Sequence, residues 1–559
     1  MAAPRVQRSS GFDQDAKSRG AFYTADEVAD FLVRWAIRAP SDTVLDPSFG
    51  GGVFLRAACQ RVIALGGRPA EHVFGAEIHP EAHRDITRTL ASEFGLGHHN
   101  LTLGDFFEID AATSCTFDAV VGNPPFVRYQ RFGGASRKFA LRRAAEQGVR
   151  LSELTSSWAP FLVHSIAMIR PGGRLAMVVP FEIFHAAYAL PVIEHLRRSF
   201  ARVTFLTFRE KLFADLSEDT ILVLGEGRGE QPAEFLWQDV GSAQALRGMR
   251  SSQMLDLQSP TRVNAEAVSS GRERLIEYFV PKRARALYAE LCASGHVRRL
   301  GMLADVGIGY VTGANDFFHL DEVAIQRWNI PRDVLRPAVR RARAFAGLRF
   351  THDDWTAALD TGDAAYLLHI TDERVESEQV RCYLAHGEQI GVAATYKCRT
   401  RSPWFRVPHV YMPDILLSYM SGLKPRLVIN DAAAVTPNNL HVVRMHPLAP
   451  VGREALAVGW QTSLTRLSVE LEGHALGGGM LKLEPTEAER VVVPLFQAST
   501  VRVGAAAHEL DLLLRNGSDE QARERADHMV LREVVGLSKQ DCQLLSTAAD
   551  MLRDRRYHR

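Results

Sequence analysis

Apolar positions along the first 240 residues fall into two alternating rhythms. One is helical. In GAFYTADEVADFLVRWAI, residues Val28, Phe31, Leu32 and Trp35 recur on one helix face, behind a T-x-x-E pair, Thr24 and Glu27, that predicts a capping box. The other is the short unbroken run of a buried strand, seen at Val44–Leu45, HVFGAEI, LTLGD, Ala119–Val121, PGGRLAMVVP, VTFLTF and DTILVLG. Helices are expected between these runs: one from about Val53, one from Pro80 to about Phe94 stopped by Gly95, one reaching Arg170 and one through His195. Strands alternating with helices and ending in two adjacent strands predict an α/β domain. Its sheet should be mostly parallel with an antiparallel edge.

The rhythm then changes. Residues 241 to about 270 are polar and irregular, which predicts a linker, and a helical stretch follows near Glu273 to Leu291. The segment LGMLADVGIGYVTGANDFFHL has Gly307, Gly309 and Gly313 spaced for tight turns between short strands. From about Val501 the pattern is amphipathic again, with Leu510, Leu513 and Leu514 at helical spacing. The expected organisation is a flexible start over 1–19, a catalytic domain over 20–240 and a linker with a helix over 241–295. A mixed α+β domain over 296–500 and a helical segment over 501–559 complete it.

Composition narrows the picture only a little. At 559 residues, 46% apolar and 23% charged, the chain is long enough for two or three separate cores. Its six cysteines are scattered without a C-x-x-C pair, which argues against a disulfide framework and a zinc site and suits a reducing cytoplasm. No metal is expected. There is neither an apolar leader nor a run of about 18 apolar residues, so no membrane association is expected. A net charge of +1 neither demands nor excludes a polyanionic partner.

The candidate chemistry centres on FDAVVGNPPFVRYQ. Gly122 ends a buried strand, and Pro124 and Pro125 then supply no N–H and hold φ fixed, giving a stiff turn where open α/β sheets keep their ligands. Such a turn suits methylation of a flat exocyclic amine, whose lone pair is delocalised into its ring. If the Asn123 side-chain oxygen and the Pro124 carbonyl accept the two N–H groups, the nitrogen is favoured as a tetrahedral centre with a localised lone pair. The same dipoles stabilise the charge that develops as a methyl arrives. Phe126 can stack on the heterocycle, as aromatic side chains do with flipped bases.

Other strand ends keep that turn company. The strand closing on Asp46 leads through Pro47 into the glycine loop Gly50, Gly51, Gly52, where backbone can approach a ligand closely before a helix. The loop fits neither G-x-G-x-x-G nor G-x-x-x-x-G-K-[ST], so a phosphate cradle is disfavoured. Glu77 closes the second strand and can take both hydroxyls of a ribose. Asp105 closes the third and can accept the amino group of an adenine, with Phe106 or Ile78 flanking the ring.

Taken together, this half resembles the gamma-group adenine-N6 DNA methyltransferases, the TaqI-like kind, over nearly every landmark from Gly20 to about Gly225. It also places G-x-F-Y-T before the glycine loop, an order characteristic of that group. The resemblance implies a Rossmann-like fold dependent on S-adenosylmethionine. Phe22, Tyr23 and Thr24, with the DPSFGGG loop, would hold the methionine part of that cofactor, Glu77 its ribose and Asp105 its adenine. N-P-P-F would hold the target adenine, and Phe213, in EKLFADLSEDTILVL, matches an aromatic that packs on the flipped base. Phe126 stands where the family more often has Tyr. The VTGAN element and HALGGGMLKLEPTEAERVVVP are similar, more loosely, to target-recognition domains fused to such enzymes.

Local charge bears on the partner, expected to be double-stranded DNA. Residues 128–150 carry seven basic residues against Glu146, residues 332–349 six arginines against Asp333, and residues 396–406 four basic residues, two aromatics after Tyr396 and no acid. Each is either a solvated face or a phosphate-contacting one, and Arg128, Arg340, Arg341, Arg343, Arg399 and Arg401 are the candidate DNA contacts. A restriction endonuclease partner would be a separate chain. The rival substrates for the same turn are a protein glutamine or a guanine in RNA, because an amide poses the same lone-pair problem. A DNA-binding protein with an inactive fold is the rival from another class.

Overall fold

The computed structural model describes residues 24–111, 116–127, 129, 131–213, 219–230, 233–247, 249, 260–371 and 375–557. They form two compact units, the first ending at Tyr278 and the second running from Phe279 to Tyr557.

The first unit is built on a nine-stranded sheet: β1 (Val44–Asp46), β2 (Val73–Glu77), β3 (Leu101–Leu103), β4 (Phe117–Gly122), β5 (Ile169–Pro180), β6 (Phe200–Phe208), β7 (Thr220–Arg228), β8 (Glu234–Val240) and β9 (Thr261–Val263). The strand order is β3-β2-β1-β4-β5-β7-β6-β8-β9. From β3 to β5 every pairing is parallel. β7 then runs antiparallel between β5 and β6, β8 pairs parallel with β6, and β9 closes that edge antiparallel. Parallel strands are covered on both faces, and β4 is buried at all six residues, which is why these runs read as unbroken apolar segments.

The helices of this unit are α1 (Asp26–Ala36), α2 (Val53–Ala64), α3 (Pro80–Phe94), α4 (Gly134–Glu146), α5 (Trp158–Ala167) and α6 (Leu190–Ser199). The helical face read from the sequence is the buried one: Val28, Phe31, Leu32 and Trp35 are all buried, and α1 packs on α2. Gly95 ends α3 in the left-handed conformation at φ 69°. The expected capping box does not form. α1 begins at Asp26 with Ala25 before it and no side chain capping it, because the Thr24 hydroxyl is taken up elsewhere and Glu27 pairs with Arg247.

Residues expected as linker partly join this unit, since β9 pairs with β8 and Tyr278 donates to Glu273 and accepts from the Asn264 backbone N–H at 2.8 Å. The second unit has a five-stranded sheet in the order Ala304–Ile308, Leu440–Met445, Ile415–Ser418, Leu427–Asn430, Arg349–Phe350. A three-stranded sheet of His319–Leu320, Ala364–Leu368 and Leu335–Val339 lies beside it in sequence. The helix Thr500–Arg515 packs with this unit, its Leu510 and Leu514 buried in the cluster that holds Leu417, Ile429 and Val443, with Leu513 against its rim. Of the three glycines read as turns, Gly307 lies inside a strand. Gly309 is needed because a Cβ there would meet the Thr436 carbonyl oxygen at 2.1 Å, and Gly313 alone adopts a positive φ, 85°.

Candidate active site

The chain leaves β1 toward β2 and β3 on one side and returns to β4 on the other, so the crevice between β1 and β4 is the switch point of the sheet. The two strands touch at their carboxyl ends. A Cβ on Gly122 would stand 3.0 Å from Asp46 Oδ1, so a side chain there would crowd the Asp46 carboxyl. The next residue is Asn123. Its Nδ2 donates to Thr24 Oγ1 at 3.2 Å, across 99 positions of sequence. That bond fixes which way the carboxamide faces and leaves its Oδ1 buried without a hydrogen-bond partner among the described residues. Buried acceptors are nearly always paired, and an unpaired one costs about 1–3 kcal/mol.

The turn beyond is held from outside. Val127 N–H donates to Ser157 Oγ at 2.8 Å, that hydroxyl donates to the Pro125 carbonyl, and Ser157 N–H donates to the Val127 carbonyl at 3.0 Å. Among the described residues none donates to the Pro124 carbonyl. Pro124 and Phe126 are buried, Phe126 with 7% of its surface exposed.

On the β1 to β3 side, carboxylates meet main-chain donors. Glu77 Oε2 accepts from Gly50 N–H at 2.8 Å and its Oε1 from His79 N–H at 2.9 Å, which ties the glycine loop to the end of β2. Gly50 and Gly52 adopt φ of 44° and 74°, and a Cβ on Gly52 would meet Ile86 at 2.8 Å. Asp46, 2% exposed, accepts from Ser48 N–H at 3.1 Å, and Pro47 beside it is buried. Burial pushes the Asp46 carboxyl up to about 8; the Ser48 hydrogen bond opposes this and the Glu77 charge adds to it. Asp105 accepts from Phe107 N–H at 3.0 Å. Ile78 is exposed, whereas Phe106 is packed inward against Phe161 at 4.9 Å and His164 at 4.6 Å between ring centroids. Phe22 and Tyr23 lie outside the described residues, as does Arg128.

Residues 10–235 match the family model for N-6 DNA methylases, and residues 272–531 match that for the carboxyl-terminal domain of the Type II methyltransferase M.Eco57I. The chain carries an N6-adenine DNA methyltransferase domain. The methyl donor is S-adenosylmethionine. The match to DNA methylases does not favour RNA or a protein glutamine, the rival substrates of the same turn. The methyltransferase is 23% identical over 493 residues to the Type II methyltransferase M.XamI of Xanthomonas campestris pv. amaranthicola, covering 86% of each chain. It is 20% identical to M.AccI of Acinetobacter calcoaceticus, covering 85% of each. Its fold is similar to the Type IIL restriction-modification enzyme MmeI solved in complex with DNA. There the TM-score is 0.53 at 12% identity, covering 95% of this chain and 75% of that one. A DrdV–DNA complex gives a TM-score of 0.52 at 12% identity, covering 90% of this chain and 58% of that one.

Residues in this methyltransferase fit the donor. Its ribose and adenine need hydrogen-bond acceptors, and Glu77 and Asp105 are carboxylates at successive strand ends with lone pairs to spare beyond their main-chain partners. The glycine loop leaves room where a side chain would stand.

Two further residues shape this edge without any signal in the sequence. Ser157 holds the N-P-P-F turn, as described. Arg143, counted above in a basic segment open to phosphate, is buried instead. It donates to the Phe107 carbonyl at 3.0 Å and pairs with Glu146 at 2.8 Å, bracing the segment that follows Asp105.

Phe213 lies on the loop leaving β6, at the same carboxyl edge as β4, with β5 and β7 between the two strands. It is 8% exposed and lines a small pocket with Phe208, Leu212, Asp219 and Thr220.

In the second unit the arginines divide. Arg341 and Arg343 both pair with Asp363, at 3.5 and 2.5 Å. Arg401 donates to the Thr312 carbonyl at 2.7 Å and the Val311 carbonyl at 2.5 Å, stapling the VTGAN loop. Arg349, of the same basic stretch, pairs with Asp431 and Glu454, and Arg332 with Glu322. Among the described residues no carboxylate lies within 4 Å of Arg340 or Arg399. Arg399 is exposed and stands over the Tyr396 ring, 5.5 Å from its centroid, with Lys397 on the same ring at 5.6 Å.

Proposed function

We propose that this enzyme methylates adenine at one specific site in duplex DNA, acting on a base turned out of the helix. The same reading makes it a gamma-group enzyme and the modification partner of a separate restriction endonuclease, working in the cytoplasm where the host DNA lies. Relatives named as Type II methyltransferases over 85–86% of the chain support it, as does the order of F-Y-T before the glycine loop.

The observation that carries the catalytic reading is the Thr24–Asn123 hydrogen bond, which leaves Asn123 Oδ1 as a buried acceptor unpaired among the described residues. In this reading Asn123 Oδ1 and the Pro124 carbonyl accept the two N–H groups of the target amine. They hold its lone pair out of the ring and stabilise the charge that develops on nitrogen. Pro125 stiffens the turn, and Phe126 and Phe213 offer aromatic faces to the base. Glu77 and Asp105 receive the cofactor's ribose hydroxyls and adenine amino group, with Phe22, Tyr23, Thr24, Asp46, Pro47, Gly50, Ile78 and Phe106 around it. S-adenosylmethionine, when bound, supplies an electrophilic methyl group.

The second unit reads the site, with Arg340 and Arg399, and Arg128 of the first unit, as its DNA contacts. Arg341, Arg343 and Arg401 were candidates on sequence grounds; we assign them a structural part, supported by their pairing with Asp363 and with the VTGAN carbonyls. Duplex DNA, single-stranded DNA and RNA incubated with labelled S-adenosylmethionine, followed by nucleoside mass spectrometry, test this reading. N6-methyladenine confined to one sequence context of duplex DNA is expected; label in RNA alone, or in every adenine context equally, overturns it.

A further inference from the structure

We infer that Ser157 is a positioning residue for methyl transfer, setting the Pro124 carbonyl and Asn123 through its grip on the N-P-P-F turn; this rests on the catalytic reading of that turn. The need for such a residue follows from the prolines. With Pro124 and Pro125 in sequence, the turn has two fewer main-chain N–H groups with which to tie itself to the rest of the fold. Rigid φ angles stiffen the turn internally without locating it against the sheet. Whatever aims its carbonyls has to come from elsewhere in the chain.

Ser157 does this three times over. Its hydroxyl accepts from Val127 N–H at 2.8 Å and donates to the Pro125 carbonyl, and its own N–H donates to the Val127 carbonyl at 3.0 Å. These contacts bracket Phe126 and act on the peptide next to the Pro124 carbonyl. They also occupy the Pro125 carbonyl, whereas among the described residues none donates to that of Pro124.

The position of Ser157 in its own helix strengthens the assignment. It stands directly before α5 with helical φ and ψ of −59° and −28°, a conformation that turns its hydroxyl away from the capping geometry of the helix's first N–H groups. The hydroxyl makes no capping bond; it is committed to the turn. The residue is 2% exposed, so solvent does not compete. Its neighbour Trp158 is 1% exposed and donates from Nε1 to Glu182 Oε2 at 3.2 Å and to the Tyr188 hydroxyl at 3.0 Å, which anchors the start of α5 beyond the end of β5. The clamp is therefore tied to the two short helical turns that directly follow β5.

Full-length Ser157→Ala, Ser157→Thr and Ser157→Cys enzymes, with Asn123→Ala as control, test the inference. The readouts are single-turnover methylation at saturating duplex DNA and S-adenosylmethionine, cofactor affinity by calorimetry, and melting temperature. Ser157→Ala and Ser157→Cys are expected to slow transfer between about tenfold and a hundredfold, since small misplacements of reacting groups cost that much. Cofactor affinity should stay within about twofold, because the clamp touches no cofactor ligand, and Ser157→Thr, which keeps the hydroxyl, should recover most of the rate. A merely structural role would lower the melting temperature of all folded variants without this separation of rate from affinity.

Should Ser157→Ala fail to fold, the near-isosteric Ser157→Cys carries the test. Transfer within twofold of the parent in either folded variant, alongside an inactive Asn123→Ala, overturns the inference, as does a rate loss fully matched by lost cofactor affinity. An active Asn123→Ala instead overturns the reading of the turn, and this inference with it.

Discussion

Thr24 and Asn123 are joined by a 3.2 Å hydrogen bond in which the asparagine amide donates and the threonine hydroxyl accepts. A carboxamide held by its nitrogen presents its oxygen in one direction only. Replacing Thr24 by Val keeps the shape and removes the acceptor, which frees the amide to turn over. Methyl transfer is expected to fall by about 1–3 kcal/mol of barrier, the cost of an unpaired buried donor. Single-turnover rates at saturating cofactor check it; an unchanged rate means that the hydrogen bond does not orient Asn123.

Asn123→Ala removes one of two acceptors for the amine. Its barrier is expected to rise by roughly 3 kcal/mol or more, comparable to losing one oxyanion-hole donor, while DNA and cofactor binding survive. Near-normal turnover in this variant contradicts the assigned role.

Glu77→Ala and Asp105→Ala are each expected to weaken S-adenosylmethionine by about 1.5–3 kcal/mol, since a charged acceptor is lost. Glu77 also holds Gly50 N–H at 2.8 Å, so its loss loosens the glycine loop and should be the costlier of the two. Calorimetry showing equal affinity in both variants and the parent removes these residues from the cofactor site.

Asp46 gives a pH dependence whose sign is definite. Its carboxyl is raised from 3.8 to about 8 by burial, so between these values the folded chain binds a proton that the unfolded chain does not. Stability from this group is present at low pH and lost as pH rises toward about 8. Asp46→Asn keeps an oxygen for Ser48 N–H and removes the titration. The melting temperature of the parent relative to this variant is therefore expected to fall across that window. A difference that is flat or rises with pH rejects the buried neutral acid.

The arginines of the second unit should separate by partner. Alanine at Arg340 or Arg399 is expected to weaken DNA binding, lowering the salt slope by about one unit for a phosphate contact or relaxing one base position for a base contact. Alanine at Arg341, Arg343 or Arg401 should instead lower stability, leaving the salt slope in place, because these side chains hold Asp363 and the VTGAN loop. Binding titrations at two salt concentrations distinguish the groups; a shifted slope in the second group reverses the division.

The sequence by itself determined whatever rests on short-range rules. Unbroken apolar runs announced β1, β2 and β4 because strands buried on both faces have no polar side to show. Gly95 announced the end of α3 because it reaches a positive φ without strain, and the two prolines announced a stiff turn because their rings fix φ. The acids at strand ends were legible for the same reason. Tertiary structure alone decided which partner each polar group takes. The T-x-x-E pattern promised a cap, but Thr24 serves Asn123; a run of arginines promised open charge, but Asp363, Asp431, Glu322 and Glu454 arrive from other elements to neutralise most of it. Arg143 and Ser157 carried no signal at all. A hydrogen bond or ion pair is set by distances of about 3 Å, and which residues come that close is fixed only when the strands and helices have packed.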